Sequence, residues 1–146
     1  MSKSKFNYTI YIKASSTKIW EALTNNTHVK KYWFNATHES TWKKNAPWQL
    51  VFDDGDLADS GKILDVKKGS LLKIKWRNNW DKNLHAEGFS TCTITLEKAG
   101  QGTKVTVDHT MNRPKSKFIE AVSGGWPMIL SNLKTLVETG KAFRLK

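Results

Sequence analysis

The segment from Gly125 to Gly140, GWPMILSNLKTLVETG, constrains the fold more than any other, because signals for helix start, apolar stripe and helix stop agree within it. Pro127 suits a first helical turn, where its missing N–H has no intrahelical partner to lose. Gly140 supplies the left-handed residue that ends helices. Within the segment Trp126, Ile129, Leu130, Leu133, Leu136 and Val137 recur at spacings of three and four. Ser131, Asn132, Lys134, Thr135, Glu138 and Thr139 fill the other side, so one face of a helix is apolar. A helix of this length runs about 22 Å. It crosses a small sheet from end to end, and a broad apolar surface must face it.

The sequence upstream supplies that surface as strands. Phe6, Tyr8, Ile10 and Ile12 alternate with polar neighbours, the period of a half-buried strand. Ser15, Ser16 and Thr17 offer N-caps for a short helix carrying Ile19, Trp20 and Leu23, and Thr27 can cap a second with Val29, Tyr32 and Trp33. Strands follow at Trp48–Asp53, at Gly61–Val66, where adjacent Ile63 and Leu64 leave the facing ambiguous, and at Leu71–Arg77. In the last of these Leu72, Ile74 and Trp76 face one way and Lys73, Lys75 and Arg77 the other. Asn78 to Gly88 reads as a loop. Thr91–Glu97 and Thr103–Thr110 form a hairpin with Cys92, Ile94 and Leu96 on one face, matched by Val105, Val107 and His109. Ser116 to Val122 holds a helical turn ahead of the long helix. The expectation is one α+β domain spanning residues 1–146, an antiparallel sheet curved around the C-terminal helix with two short helices after strand one.

Composition narrows the function. The formal charge is +11, from 24 Lys and Arg against 13 Asp and Glu. Such a balance raises polyanions as partners, but the basic residues are scattered in pairs and triplets over turns and polar faces, the pattern of a solvated surface rather than a nucleic-acid track. One cysteine, Cys92, precludes an internal disulfide. The opening MSKSKFNYTI lacks the apolar run of a signal peptide and no apolar stretch reaches a membrane-spanning length, so a cytoplasmic location is expected. His28, His38, His85, His109 and Cys92 show no zinc-ligand spacing. Asp53, Asp54, Asp56 and Asp59 lack the glycine and glutamate positions of a calcium loop and read as a solvated hairpin turn. Neither a metal nor a cofactor is expected. Asp108 and His109, adjacent on a strand, point to opposite faces and cannot act as a catalytic pair.

The stretches KIWEALTNNTHVKKYWF, TCTITLEKAGQGTKVTVDHT and GGWPMILSNLKTLVETG together resemble the START-like (SRPBCC) superfamily of helix-grip proteins, and within it the branch of the activator of heat-shock protein 90 ATPase homologue. The likeness runs from about Phe6 to Gly140. It implies the helix-grip fold and a hydrophobic ligand cavity between sheet and helix. Lys44-Asn45-Ala46-Pro47 stands where relatives carry a glycine-rich turn, which leaves the shape of that loop open.

The expected function is binding of a hydrophobic or amphipathic small molecule without turnover. The walls are expected from Trp48, Leu50, Trp76, Cys92, Ile94 and His109 on the sheet and Trp126, Leu130, Leu133 and Val137 on the helix, with Trp33 and Phe34 near the mouth. Plain core packing accounts for the same aromatic residues, and His109 reads either as a histidine satisfied by a backbone group or as a polar anchor for a ligand. The alternative function is an interaction module that docks on an acidic chaperone or another polyanion through its basic surface. A cyclase or hydrolase is the weakest reading, because no acid and base pair can be named.

Overall fold

The structure is a computed structural model and is described here for residues 3–143. Seven strands form one antiparallel sheet, and the alternation seen in the sequence sets which face each residue takes. In chain order the elements are β1 (Ser4–Ile12), α1 (Ser16–Thr24), α2 (Asn26–Tyr32), β2 (Thr37–Glu39), β3 (Pro47–Val51), β4 (Leu57–Lys67), β5 (Leu71–Asn78), α3 (Lys82–Ala86), β6 (Ser90–Ala99), β7 (Gly102–Met111) and α4 (Lys117–Thr139). The strand order is β1-β7-β6-β5-β4-β3-β2, with each neighbouring pair antiparallel. The sheet curves around α4, which gives the expected helix-grip arrangement.

Two rows across the inner face position the site. Antiparallel register brings His38, Leu50, Asp59 and Asn78 side by side on β2, β3, β4 and β5, and beside them Trp48, Gly61, Trp76 and Ser90. Gly61 is required there: a Cβ on it would lie 1.6 Å from the Lys75 carbonyl oxygen. The ambiguous facing of Ile63 and Leu64 is resolved by a register shift between Ile63 and Asp65. The extra residue lets Ile63 and Val66 both turn inward. Asn45, at φ 70, adopts the left-handed conformation a glycine would otherwise supply, and its N–H reaches the Ile63 carbonyl at 2.7 Å.

Four elements differ from expectation, the first being β2, a three-residue edge strand that the sequence reading did not anticipate. Helix α4 begins at Lys117, not near Gly125, and Pro127 lies inside it. The start is fixed at long range: Glu87, just after α3, accepts from the Lys117 and Phe118 N–H groups at 2.9 and 3.2 Å and from Ser116 Oγ at 2.6 Å. Ser116 Oγ in turn accepts from Ile119 N at 3.1 Å. These contacts satisfy orphan donors of the first turn and offset an internal proline, whose ring deprives the Ser123 carbonyl of its usual partner. Within the expected loop, Asp81 caps the short helix α3 by accepting from Asn83 N and Leu84 N. Helix α2 is capped by Asn25, not Thr27, since the Asn25 side chain accepts from Thr27 N at 2.9 Å. The stop at Gly140 is as read, with φ 88 and its N–H on the Leu136 carbonyl.

The C-terminal half of α4 seals the core. Leu130 and Leu133 are fully buried with Val137 against the inner face, and Glu138 fastens this end to β1 by accepting from Lys13 N at 2.7 Å and pairing with Lys134. Asn132, on the expected polar side, is buried, and its Oδ1 is satisfied by the Phe143 N–H at 2.8 Å. The N-terminal half behaves differently, and the site lies beneath it.

Candidate functional site

Along the face of α4 that looks at the sheet, the residues are Phe118, Ala121, Val122, Gly125, Trp126 and Ile129. The small side chains at 121 and 125 fall one turn apart, so the helix stands off the sheet there and leaves a pocket of about 230 Å³. Its floor is the end of the inner face, Leu50, Ala58, Asp59, Trp76 and Asn78; its other walls are Trp33, Phe34, Ala36, Phe52, Trp80 and Leu84. The lining is overwhelmingly apolar and aromatic. Wider surface grooves, such as the one of about 530 Å³ between α1 and the end of α4, are bounded by Lys18, Glu21, His28 and Lys31 and offer no comparable apolar enclosure.

Of the twelve residues expected to line a cavity, the structure brings five to this pocket: Trp33, Phe34, Leu50, Trp76 and Trp126. Trp48 lies behind the wall, packed at 4.5 Å against Trp76. Cys92, Ile94, His109, Leu130, Leu133 and Val137 are buried in the core away from the lining. The reason is depth: Ile94 pairs with Leu72, at the opposite end of β5 from Asn78. Residues not anticipated include Asp59, Asn78, Trp80, Leu84, Phe118 and the small residues of α4. Asp59 was grouped with the acidic turn, yet it shares its strand parity with Gly61 and Ile63, and that signal places it on the inner face.

The polar groups around the pocket divide into satisfied and unsatisfied ones. Trp126 Nε1 donates to His109 Nδ1 at 3.1 Å. Since an indole nitrogen only donates, Nδ1 is the acceptor and the ring proton sits on Nε2. Nε2–H then donates to Ser90 Oγ at 2.8 Å, and Ser90 Oγ donates to the Trp76 carbonyl at 2.9 Å. His109 is thus satisfied by side chains, not by a backbone group, and burial lowers its pKa to about 3, which keeps it neutral. Trp48 Nε1 makes the parallel bond to His38 Nδ1 at 3.0 Å, and burial lowers the His38 pKa to about 3 as well. Burial pushes the Cys92 thiol up, with the Asp108 charge adding to the effect, so it is no thiolate nucleophile.

Trp76 and Asp59 are the exceptions. Trp76 Nε1 is buried and makes no hydrogen bond. Its neighbour is the Asp59 carboxyl, which the indole N–H stabilises in the charged form. Burial pushes the Asp59 pKa up to about 7, against the smaller lowering effect of Trp76. Among the described residues no cluster of three His, Cys, Asp or Glu side chains is placed to hold a metal ion.

Comparison with known proteins agrees with this architecture. The model of the family described as Activator of Hsp90 ATPase homolog 1-like protein matches residues 13–138. No curated protein matches the sequence. Among solved structures, the Aha1 dimer from Colwellia psychrerythraea superposes with a TM-score of 0.76 at 23% identity, covering 95% of this chain and 99% of that one. A protein from Cytophaga hutchinsonii gives 0.73 at 27% identity, covering 96% and 98%. DynU16, a protein in the dynemicin biosynthetic locus, gives 0.78 at 20% identity, covering 97% of this chain and 49% of that one. With the family match spanning most of the chain and the helix-grip fold in place, the protein belongs to the Activator of Hsp90 ATPase homolog 1-like family of the START-like (SRPBCC) superfamily.

Proposed function

We propose that the protein binds a hydrophobic or amphipathic small molecule, without turnover, in the pocket between the sheet and the N-terminal half of α4. The observation that carries this reading is the gap itself: protein interiors pack at crystal-like density, yet here four tryptophans, Trp33, Trp76, Trp80 and Trp126, surround space that Ala121 and Gly125 leave unfilled. Burial of an apolar guest is worth about 25 cal/mol per Å². At about 230 Å³ the space suits a compact guest of one or two rings, since about 150 Å³ accommodates benzene. The polar inventory supports binding without turnover. His109 has both ring nitrogens engaged, the Cys92 thiol is held protonated, and Asp59 has no basic partner at the pocket.

The test is titration with an environment-sensitive apolar dye, followed by dye emission and tryptophan quenching. Saturable binding with a stoichiometry near one, little changed by salt, supports the reading. No saturable binding to folded protein removes it.

One observation favours a second reading, docking on an acidic protein. On the outer face Lys62 and Lys75 stand directly opposite one another, and Lys75 and Arg77 lie 4.5 and 5.5 Å from the ring of Phe89, which is 44% exposed. Like charges opposed across a strand pair cost stability, and an anionic partner would relieve that cost. Binding of this kind weakens steeply with salt. Lys73→Glu with Lys75→Glu abolishes it while leaving dye binding intact; equal loss of both activities contradicts the assignment of faces.

A further inference from the structure

We propose that the occupant of the pocket is an organic cation, an alkyl- or arylammonium ion held against Asp59 between indole faces. The inference rests on the small-molecule reading above and adds the charge of the ligand. Its first support is Asp59 itself. The residue is 6% exposed, and among the described residues no Lys, Arg or His pairs with its carboxyl, on which only the neutral Trp76 indole N–H acts. A buried carboxyl is costly unless paired. None of the residues lining the pocket is a cation, so no group of the protein competes for it.

The second support is the wall. Trp33 and Trp126 meet at 5.3 Å and 68°, Trp76 and Trp126 at 5.9 Å and 67°, and Trp33 lies 6.3 Å from Trp76 at 22°. All three residues line the pocket, and their rings lie in more than one plane. A cation within about 6 Å of a ring centroid is attracted by the ring quadrupole, most strongly for tryptophan. A neutral apolar guest would use the rings and leave Asp59 stranded. An ammonium ion uses both.

The pH dependence of binding is assigned to Asp59, the one titratable side chain that lines the pocket among the described residues. The other titratable or charged groups packed on this region are His38 on β2 and His109 on β7, both kept uncharged by burial, and His85 on α3, whose Nδ1 lies 2.8 Å from the Asn78 carbonyl oxygen, with Arg77 donating to the His85 carbonyl; the pocket face of α4 carries Phe118, Ala121, Val122, Gly125, Trp126 and Ile129. Burial raises the Asp59 pKa to about 7, between the two pH values compared below.

The experiment compares phenyltrimethylammonium, whose charge does not vary with pH, with its neutral isostere tert-butylbenzene, by tryptophan fluorescence titration at pH 8 and pH 6. The expected result is saturable binding of the cation at pH 8 at least tenfold tighter than the isostere. Affinity for the cation falls about tenfold at pH 6, as the ionised fraction of Asp59 falls, and the isostere is unaffected. Asp59→Asn, nearly isosteric and relieved of a buried carboxyl, keeps the fold and abolishes both the preference and the pH dependence while still binding the isostere. Trp80→Ala, at a side chain 59% exposed, is a second variant that does not threaten folding, and it weakens the cation more than the isostere. If the isostere binds as tightly as the cation, or if either variant leaves the preference intact, the cation assignment falls and the small-molecule reading stands. If neither probe binds folded protein, both fall.

Discussion

Gly125→Phe is the perturbation that separates a pocket from a packed core. Gly125 lies on the inward stripe of α4 one turn from Ala121 and Ile129, and a Cβ built on it meets nothing within 4 Å. Helical side chains lean toward the N-terminus, so a phenylalanine ring at 125 lies over Ala121 and Val122, inside the space. A cavity of about 150 Å³ holds one benzene ring, so the new ring occupies most of the 230 Å³ present. Replacing mid-helix glycine gains roughly 0.5 kcal/mol in propensity, and burying part of a phenylalanine adds about 1 kcal/mol or more. The variant is therefore expected to be more stable by about 1–2 kcal/mol in chemical denaturation, and to have lost saturable dye binding. A core already full makes the opposite demand, because overpacking costs about 1–3 kcal/mol. Destabilisation of that size, or unchanged dye binding in a stabilised variant, refutes the reasoning.

Two further outcomes test other parts of the account. Leu133→Ala, at a fully buried position under the sealed half of α4, is expected to cost about 2–5 kcal/mol in chemical denaturation without altering the size of the pocket; a loss below about 0.5 kcal/mol contradicts the gripped helix. Stability should also fall on acidification below pH 6.5: the unfolded chain protonates His38 and His109 near their ordinary 6.5, whereas the folded chain resists until about 3. Asp59 works in the opposite sense, since its folded pKa of about 7 exceeds the ordinary 3.8 and the folded state holds an extra proton between those values. The net difference of one proton gives a loss of roughly 1 kcal/mol per pH unit between about pH 6 and 4. Asp59→Asn should roughly double that slope; a pH-independent stability in this range contradicts the burial of both histidines.

What the sequence made legible was facing, and what it hid was depth and long-range capping. Alternation in β5 placed Leu72, Ile74 and Trp76 on the inner face, and the same parity continues to Asn78 on the pocket floor. Parity does not say where along the face a helix stands off, so Cys92, Ile94, Leu130, Leu133 and Val137 shared the right side of the sheet but not the pocket. The start of α4 was misplaced because local signals at Gly125 and Pro127 outweighed Ser116, whose cap depends on Glu87 from a distant turn. Burial pushes the Glu87 pKa up, but the hydrogen bonds from Ser116, Lys117 and Phe118 and the charge of Arg113 win, so its carboxylate is held below the usual range. The pocket-lining residues Phe118, Ala121 and Val122 fell in the stretch read as no more than a turn. Asp59 was hidden by its neighbours: three aspartates just before it belong to a solvated turn, and only pairing with Leu50 and Asn78 shows it to be buried.

The central claim, that a small molecule occupies the space under the N-terminal half of α4, is tested most directly by following the seven indole N–H resonances while titrating phenyltrimethylammonium or tert-butylbenzene into nitrogen-15-labelled protein. The account predicts saturable shifts of the Trp33, Trp76, Trp80 and Trp126 signals, with Trp20 and Trp42, which do not line the pocket, unmoved. Stationary signals for those four, or a uniform drift of all seven with probe concentration, would contradict it.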